Sequence, residues 1–154
     1  MEIADLLTPD SVVASLRAPA KKQALQELAR RMAPIAELDE RLIFDVLLER
    51  ERLGSTGIGM GVAVPHGRIP GLKRLYGFFA RLERPIDFAA IDDRPVDLIF
   101  LLLAPEGAGA DHLKALARVS RLFRNAAICE KLRGTEGKDA LYALLTDSTA
   151  SAAA

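Results

Sequence analysis

The segment Val96-Asp-Leu-Ile-Phe-Leu-Leu-Leu-Ala104 constrains the fold of this chain more than any other. Prolines bound it at Pro95 and Pro105, and Asp97 is its one charged residue. A strand with one wet face would alternate apolar and polar residues. This one does not, so it reads as a central strand covered on both faces. It falls far short of the ~20 residues that a membrane-spanning helix needs. The rest of the chain must therefore supply helices for two sides of a sheet.

Ala24, Leu25, Leu28, Ala29 and Met32 recur at helical spacing after Pro19, and Pro34 is expected to stop that helix. Asp39 reads as the N-cap of a second helix. Leu42, Ile43, Val46 and Leu47 form its buried stripe, and it ends at Glu49-Arg-Glu-Arg52 before Gly54. In the last third, Leu113, Leu116, Ala117, Val119, Leu122 and Phe123 define one helix. Asn125 is placed to cap a short second one, and Ala140, Leu141, Leu144 and Leu145 define a third. Residues 11–16 and 75–82 read as strands, with turn-rich connections over 84–88 and 92–95. Residues 55–67 read as a glycine-rich loop, a short strand at Val62, Ala63 and Val64, and a tight turn at Pro65-His66-Gly67. The 154 residues show no internal repeat. The expectation is one α/β domain over residues 1–147, a mixed β-sheet flanked by helices, with a disordered tail over 148–154.

Several function classes fall away on composition. Basic and acidic residues balance at 21 each, so no global field favours nucleic acid or an anionic membrane. The single Cys129 excludes an intrachain disulfide framework and a multi-Cys zinc site. With Ile128 and Leu132 on a shared helical face, it reads as a packed thiol. The first residues carry no basic region followed by an apolar stretch. No secretory signal is expected, and the protein is expected to be cytoplasmic, without direct membrane insertion.

Two histidines remain as candidates for chemistry. His66 follows Pro65 and precedes Gly67, which suits a side chain mounted on a rigid turn, where functional residues often sit. An ordinary surface histidine satisfies the same residues. The nearby Gly57, Gly59 and Gly61 do not match Gly-x-Gly-x-x-Gly, and no P-loop Lys-Ser or Lys-Thr follows, so a nucleotide site is not expected. These glycines would still let main-chain N–H groups approach an anion. His112 lies near the start of a helix, where free N–H groups and the dipole favour an anion; a solvated first-turn residue fits equally. The histidines lack His-x3-His pairing and thiolate neighbours, so no metal is expected, and no Gly-x-Ser-x-Gly elbow is present. No cofactor is expected.

The segment Arg50-Glu-Arg-Leu-Gly-Ser-Thr-Gly-Ile-Gly-Met-Gly-Val-Ala-Val-Pro-His-Gly-Arg68 resembles the active-site block of mannitol/fructose-type enzyme IIA domains of the bacterial phosphotransferase system. The segment from Val96 to Lys114 resembles the second signature of that family, in the expected order. The likeness extends over about residues 6–145 and is closest to the stand-alone, nitrogen-regulatory branch. Met60 stands where a small or polar residue is expected.

The resemblance implies a phosphohistidine at His66 with Nε2 as the attacking atom, a second active-site histidine at His112, and an arginine at Arg50. Arg52 and Arg68 are nearby and rank below it. Ser55 and Thr56 are candidate hydroxyl donors to phosphate. A neutral His66 beside Arg50 could attack, and Arg50 and His112 would favour the incoming dianion. Nδ1 needs a hydrogen-bond acceptor to fix the ring, and the residues do not name it. Ile58, Met60 and Ile69 are the expected apolar rim that would exclude water during transfer. The implied partners are a phosphorylated HPr-type carrier and regulatory target proteins. A sugar-specific member passing phosphate to a IIB component, and a binding module whose histidine does not turn over, are the alternatives.

Overall fold

The computed structural model describes residues 1–147, so the expected tail lies outside the described residues. Two short 3-10 turns, Ile3–Asp5 and Pro9–Ser11, lead into β1 (Val12–Leu16). Helices α1 (Lys21–Ala36) and α2 (Glu40–Arg52) follow. Next come β2 (Gly57–Gly59), β3 (Val62–Ala63), β4 (His66–Ile69), β5 (Tyr76–Ile86) and β6 (Val96–Pro105). The chain then forms α3 (Gly109–Phe123), α4 (Ala126–Gly134) and α5 (Lys138–Thr146). The sheet runs in the order β1-β5-β6-β3-β2, with β4 also paired to β6. It is mixed, as expected: β1 and β5 are parallel, β5 and β6 antiparallel, and β3 and β4 both run parallel to β6.

Strand β6 holds the centre, and its side chains divide between two cores. Ile99, Leu101 and Leu103 pack with residues of α1 and α2, whereas Leu98, Phe100 and Leu102 pack with α3, α4 and α5. This is the period of two of a pleated strand, with both faces covered. All six are 0% exposed, and each contributes about 1.5–3 kcal/mol of burial. The helix caps form as the sequence indicates. The Asp39 side chain accepts from the N–H of Leu42, and the Asn125 side chain accepts from those of Ala127 and Ile128. Cys129 is buried, and its thiol donates to the Phe123 carbonyl. Burial raises its pKa, which keeps it protonated. Among the described residues no helix is long and apolar enough to cross a membrane.

Three local expectations fail. Helix α1 does not stop at Pro34, which lies inside it. The missing N–H removes one hydrogen bond, but the helix runs on to Ala36. There Glu37 turns left-handed (φ 55°) and the Leu38 N–H bonds Ala33 O. Strand β5 continues through Pro85 to Ile86 instead of ending near Leu82. Its register with β6 is irregular between Arg81 and Ile86, so a residue without an N–H is tolerated there. Finally, His66 does not sit in a turn but opens β4. Val62 opposite Leu98 and His66 opposite Leu102 keep one constant offset. Residues 62–69 therefore form a single parallel strand along β6, interrupted only at Val64 and Pro65.

Candidate functional site

The interruption in that strand orients His66. Pairing between β2 and β3 ends at Gly57 opposite Ala63, so Val64 lies just past it. The Val64 N–H still reaches back to Thr56 O. Its carbonyl instead accepts from Nδ1 of His66 at 2.8 Å. A carbonyl can only accept, so Nδ1 carries the proton and the lone pair of the neutral ring is on Nε2. This carbonyl is the acceptor that the sequence could not name. Burial pushes the His66 pKa below its ordinary value. The bond to Val64 opposes that shift, Arg50 adds to it through its charge, and Glu51 opposes it. The imidazole is therefore neutral near pH 7 and nucleophilic at Nε2.

Alternation along β4 sends His66 and Arg68 to the side of the sheet that α3 covers. Gly67 and Ile69 face α2 and its core. His112, in the first turns of α3, is 5% exposed and so is not the solvated residue that its position allowed. Its ring meets that of His66 edge-on, with centroids 5.7 Å apart and planes at 68°. Arg68 Nε donates to His112 Nδ1 at 3.2 Å. Burial, then the charges of His66 and Arg68, lower the His112 pKa.

Helix α2 closes the other side. Val46, Glu49, Arg50 and Leu53 recur at helical spacing and line one cleft of about 390 Å³ together with His66, Gly67, Arg68 and His112. The approach is tight at Gly67, where a Cβ would lie 2.4 Å from Val46 Cγ1. Arg50, in the last turn of α2, donates to Gly54 O at 2.9 Å, which tethers its guanidinium over the cleft. Two neutral imidazoles between two guanidinium groups favour an anion over a cation. Of the residues singled out from sequence, the structure brings together His66, His112 and Arg50. Arg68, ranked lower, joins them, and the period-two spacing from His66 was the signal for it.

Ser55 and Thr56 are not in this cleft. The Ser55 hydroxyl donates to Phe88 O at 2.6 Å and accepts from the Gly57 N–H at 3.0 Å. Thr56 is 4% exposed, and its hydroxyl and N–H both donate to the Glu51 carboxylate, which Lys21 Nζ also reaches at 3.0 Å. Their protons are committed to holding the chain between α2 and β2. The glycine loop also lies elsewhere. Met60 (φ 58°) and Gly61 (φ 78°) form the tight turn between β2 and β3, at the far end of the interrupted strand from His66. Asp92 accepts from the Met60 N–H there, and Arg133 donates to Met60 O. Ile58 and Met60 thus do not border His66, and Ile69 is fully buried. The exposed apolar side chain that lines the cleft is Leu53, at 80%, and Leu113, 64% exposed, follows His112 in the chain.

A family model described as "Phosphoenolpyruvate-dependent sugar phosphotransferase system, EIIA 2" matches residues 5–148. The chain belongs to this family. EIIA 2 domains are phosphotransferases, which gives the anion-favouring cleft a chemical setting. Among its relatives, this EIIA 2 protein is 54% identical over 153 residues to the nitrogen regulatory protein of Bradyrhizobium diazoefficiens, covering 99% of this chain and 100% of that one. It is 34% identical over 151 residues to a fructose-specific EIIA component of Haloferax volcanii, covering 96% of this chain and 98% of that one. Among solved structures, the nitrogen regulatory protein IIA-Ntr from Neisseria meningitidis superposes with a TM-score of 0.89. That match has 37% identity and covers 94% of this chain and 99% of that one.

Proposed function

We propose that this EIIA 2 protein accepts a phosphoryl group on Nε2 of His66 from a phosphorylated HPr-type carrier in the cytoplasm. The phosphorylated and free forms then act as a signal in nitrogen-related regulation, through contacts with target proteins. The observation that carries the chemistry is the bond from His66 Nδ1 to Val64 O, which leaves the Nε2 lone pair as the nucleophile. In the transfer, the P–N bond to the donor imidazole breaks with its electron pair returning to that nitrogen, while the P–Nε2 bond forms. Arg50 and His112 stabilise charge on the phosphoryl oxygens, and His66 keeps its Nδ1 proton throughout. Leu53 and Leu113 supply the apolar rim against which the carrier excludes water.

Similarity to the Bradyrhizobium and Neisseria nitrogen regulatory proteins supports the regulatory role. Similarity to the Haloferax fructose-specific component supports a second role, in which a sugar-specific IIB protein receives the phosphate. Incubation with the phosphorylated carrier, followed by mass spectrometry at alkaline pH, tests the chemistry. The expected product is an acid-labile phosphate on His66, absent from H66Q. Undiminished labelling of H66Q on another residue would overturn the assignment. Rapid transfer from the labelled protein to a fructose-type IIB protein would favour the sugar-uptake role over the regulatory one.

A further inference from the structure

We infer that Arg68 is a positioning residue that holds His112 as a neutral hydrogen-bond donor, with the ring proton on Nε2, aimed at a phosphoryl group carried by His66. The inference rests on the phosphocarrier function proposed for His66. An arginine Nε–H only donates, and it lies 3.2 Å from His112 Nδ1. Nδ1 must present a lone pair to it, which leaves Nε2 as the protonated nitrogen.

That Nε2 is shielded from solvent and has no hydrogen-bond partner among the described residues. An unpaired buried donor is costly, and such groups in native proteins are rare. An incoming phosphoryl group would satisfy it, because its oxygens only accept. The adjacent His66 ring, 5.7 Å away between centroids, is where that group would be carried. Without Arg68, the His112 proton is free to move to Nδ1. The ring would then turn a lone pair toward the phosphoryl oxygens and repel them. Arg68 can act in this way because it is two residues from His66 on the same face of β4, and its Nε lies 3.2 Å from His112 in the first turns of α3.

The chain has only two histidines, so the imidazole nitrogens can be followed individually by 15N NMR in the intact protein. In the unmodified protein at pH 7.5, His112 should show a protonated, pyrrole-type Nε2 and an unprotonated, pyridine-type Nδ1. In R68M both His112 resonances should move, as Nδ1 loses its donor and the two tautomers begin to average. The His66 resonances should keep the Nδ1–H form. The rate of phosphoryl uptake by R68M should fall about tenfold, the value of one lost hydrogen bond. A proton on His112 Nδ1 in the unmodified protein would overturn the inference, as would His112 resonances unmoved in R68M. The nitrogen shifts are read without any phosphoryl donor. They decide the role of Arg68 whether or not His66 is ever labelled.

Discussion

At the scale of single residues, two kinds of hydroxyl and imidazole partner determine what each polar group near the cleft can do. His66 gives its Nδ1 proton to Val64 O and keeps Nε2 free. Thr56 gives its hydroxyl proton to Glu51, whose carboxylate also holds Lys21, and so has none left for a phosphate. T56V should therefore lose about 1–3 kcal/mol of stability, because a buried carboxylate loses a donor, and should still take up phosphate on His66. Chemical denaturation and the labelling assay check this together; unchanged stability with abolished labelling would return Thr56 to the chemistry. His66, His112 and Arg50 were legible only through the resemblance of their two segments to enzyme IIA domains, because residue type and position left both histidines open. Ser55 and Thr56 were candidates only as hydroxyl donors in the neighbouring loop. Their partners, Phe88 O and Glu51, are reached only through the folded loop, and no spacing rule encodes them.

At the scale of elements, the cleft exists because α2, β4 and α3 meet at one end of β6. The helices were legible from apolar periodicity and the central strand from its unbroken apolar run, and Asp39 and Asn125 marked the starts of α2 and α4. Strand β4 was not. It has four residues, and its partner β6 lies more than thirty positions away in the chain, so no local pattern announces the pairing. Pro65 and Gly67 also looked like turn residues, although each has a different function. Pro65 sits in the interruption that frees Val64 O, and Gly67 lets α2 approach β4. A methyl group at Gly67 would meet Val46 Cγ1 at 2.4 Å and push α2, with Arg50, away from His66. G67A should cost about 1–3 kcal/mol and slow phosphoryl uptake. Adding V46A should recover much of both losses, since it removes the colliding atom. Failure of V46A to relieve either defect would show that the spacing of α2 and β4 does not position Arg50.

At the scale of the whole molecule, the same burial that prepares the histidines ties folding stability to pH. Both imidazoles start from an ordinary value of 6.5, and in the folded protein burial, together with neighbouring positive groups, lowers each. Just below pH 6.5 the unfolded chain binds more protons than the folded one. Stability therefore rises with pH across this interval, and the sign is that of a group held neutral by the fold. The contribution is fully present above about pH 6.5 and is lost progressively as pH falls through the lower folded values. Carboxylates such as Glu27, whose pKa is lowered by its bond to Arg30, act in a separate window below 4.5. The melting temperature should consequently drop between pH 7.5 and 5.5, and the double variant H66Q/H112Q should lose most of that drop. An equal drop in the double variant would place the acid sensitivity outside the cleft. Phosphorylation of His66 should change the profile as well. A phosphoryl dianion favours protonation of nearby imidazoles, so the modified protein should resist mild acid better than the free form. The state of one histidine would thereby be readable in the stability of the whole fold.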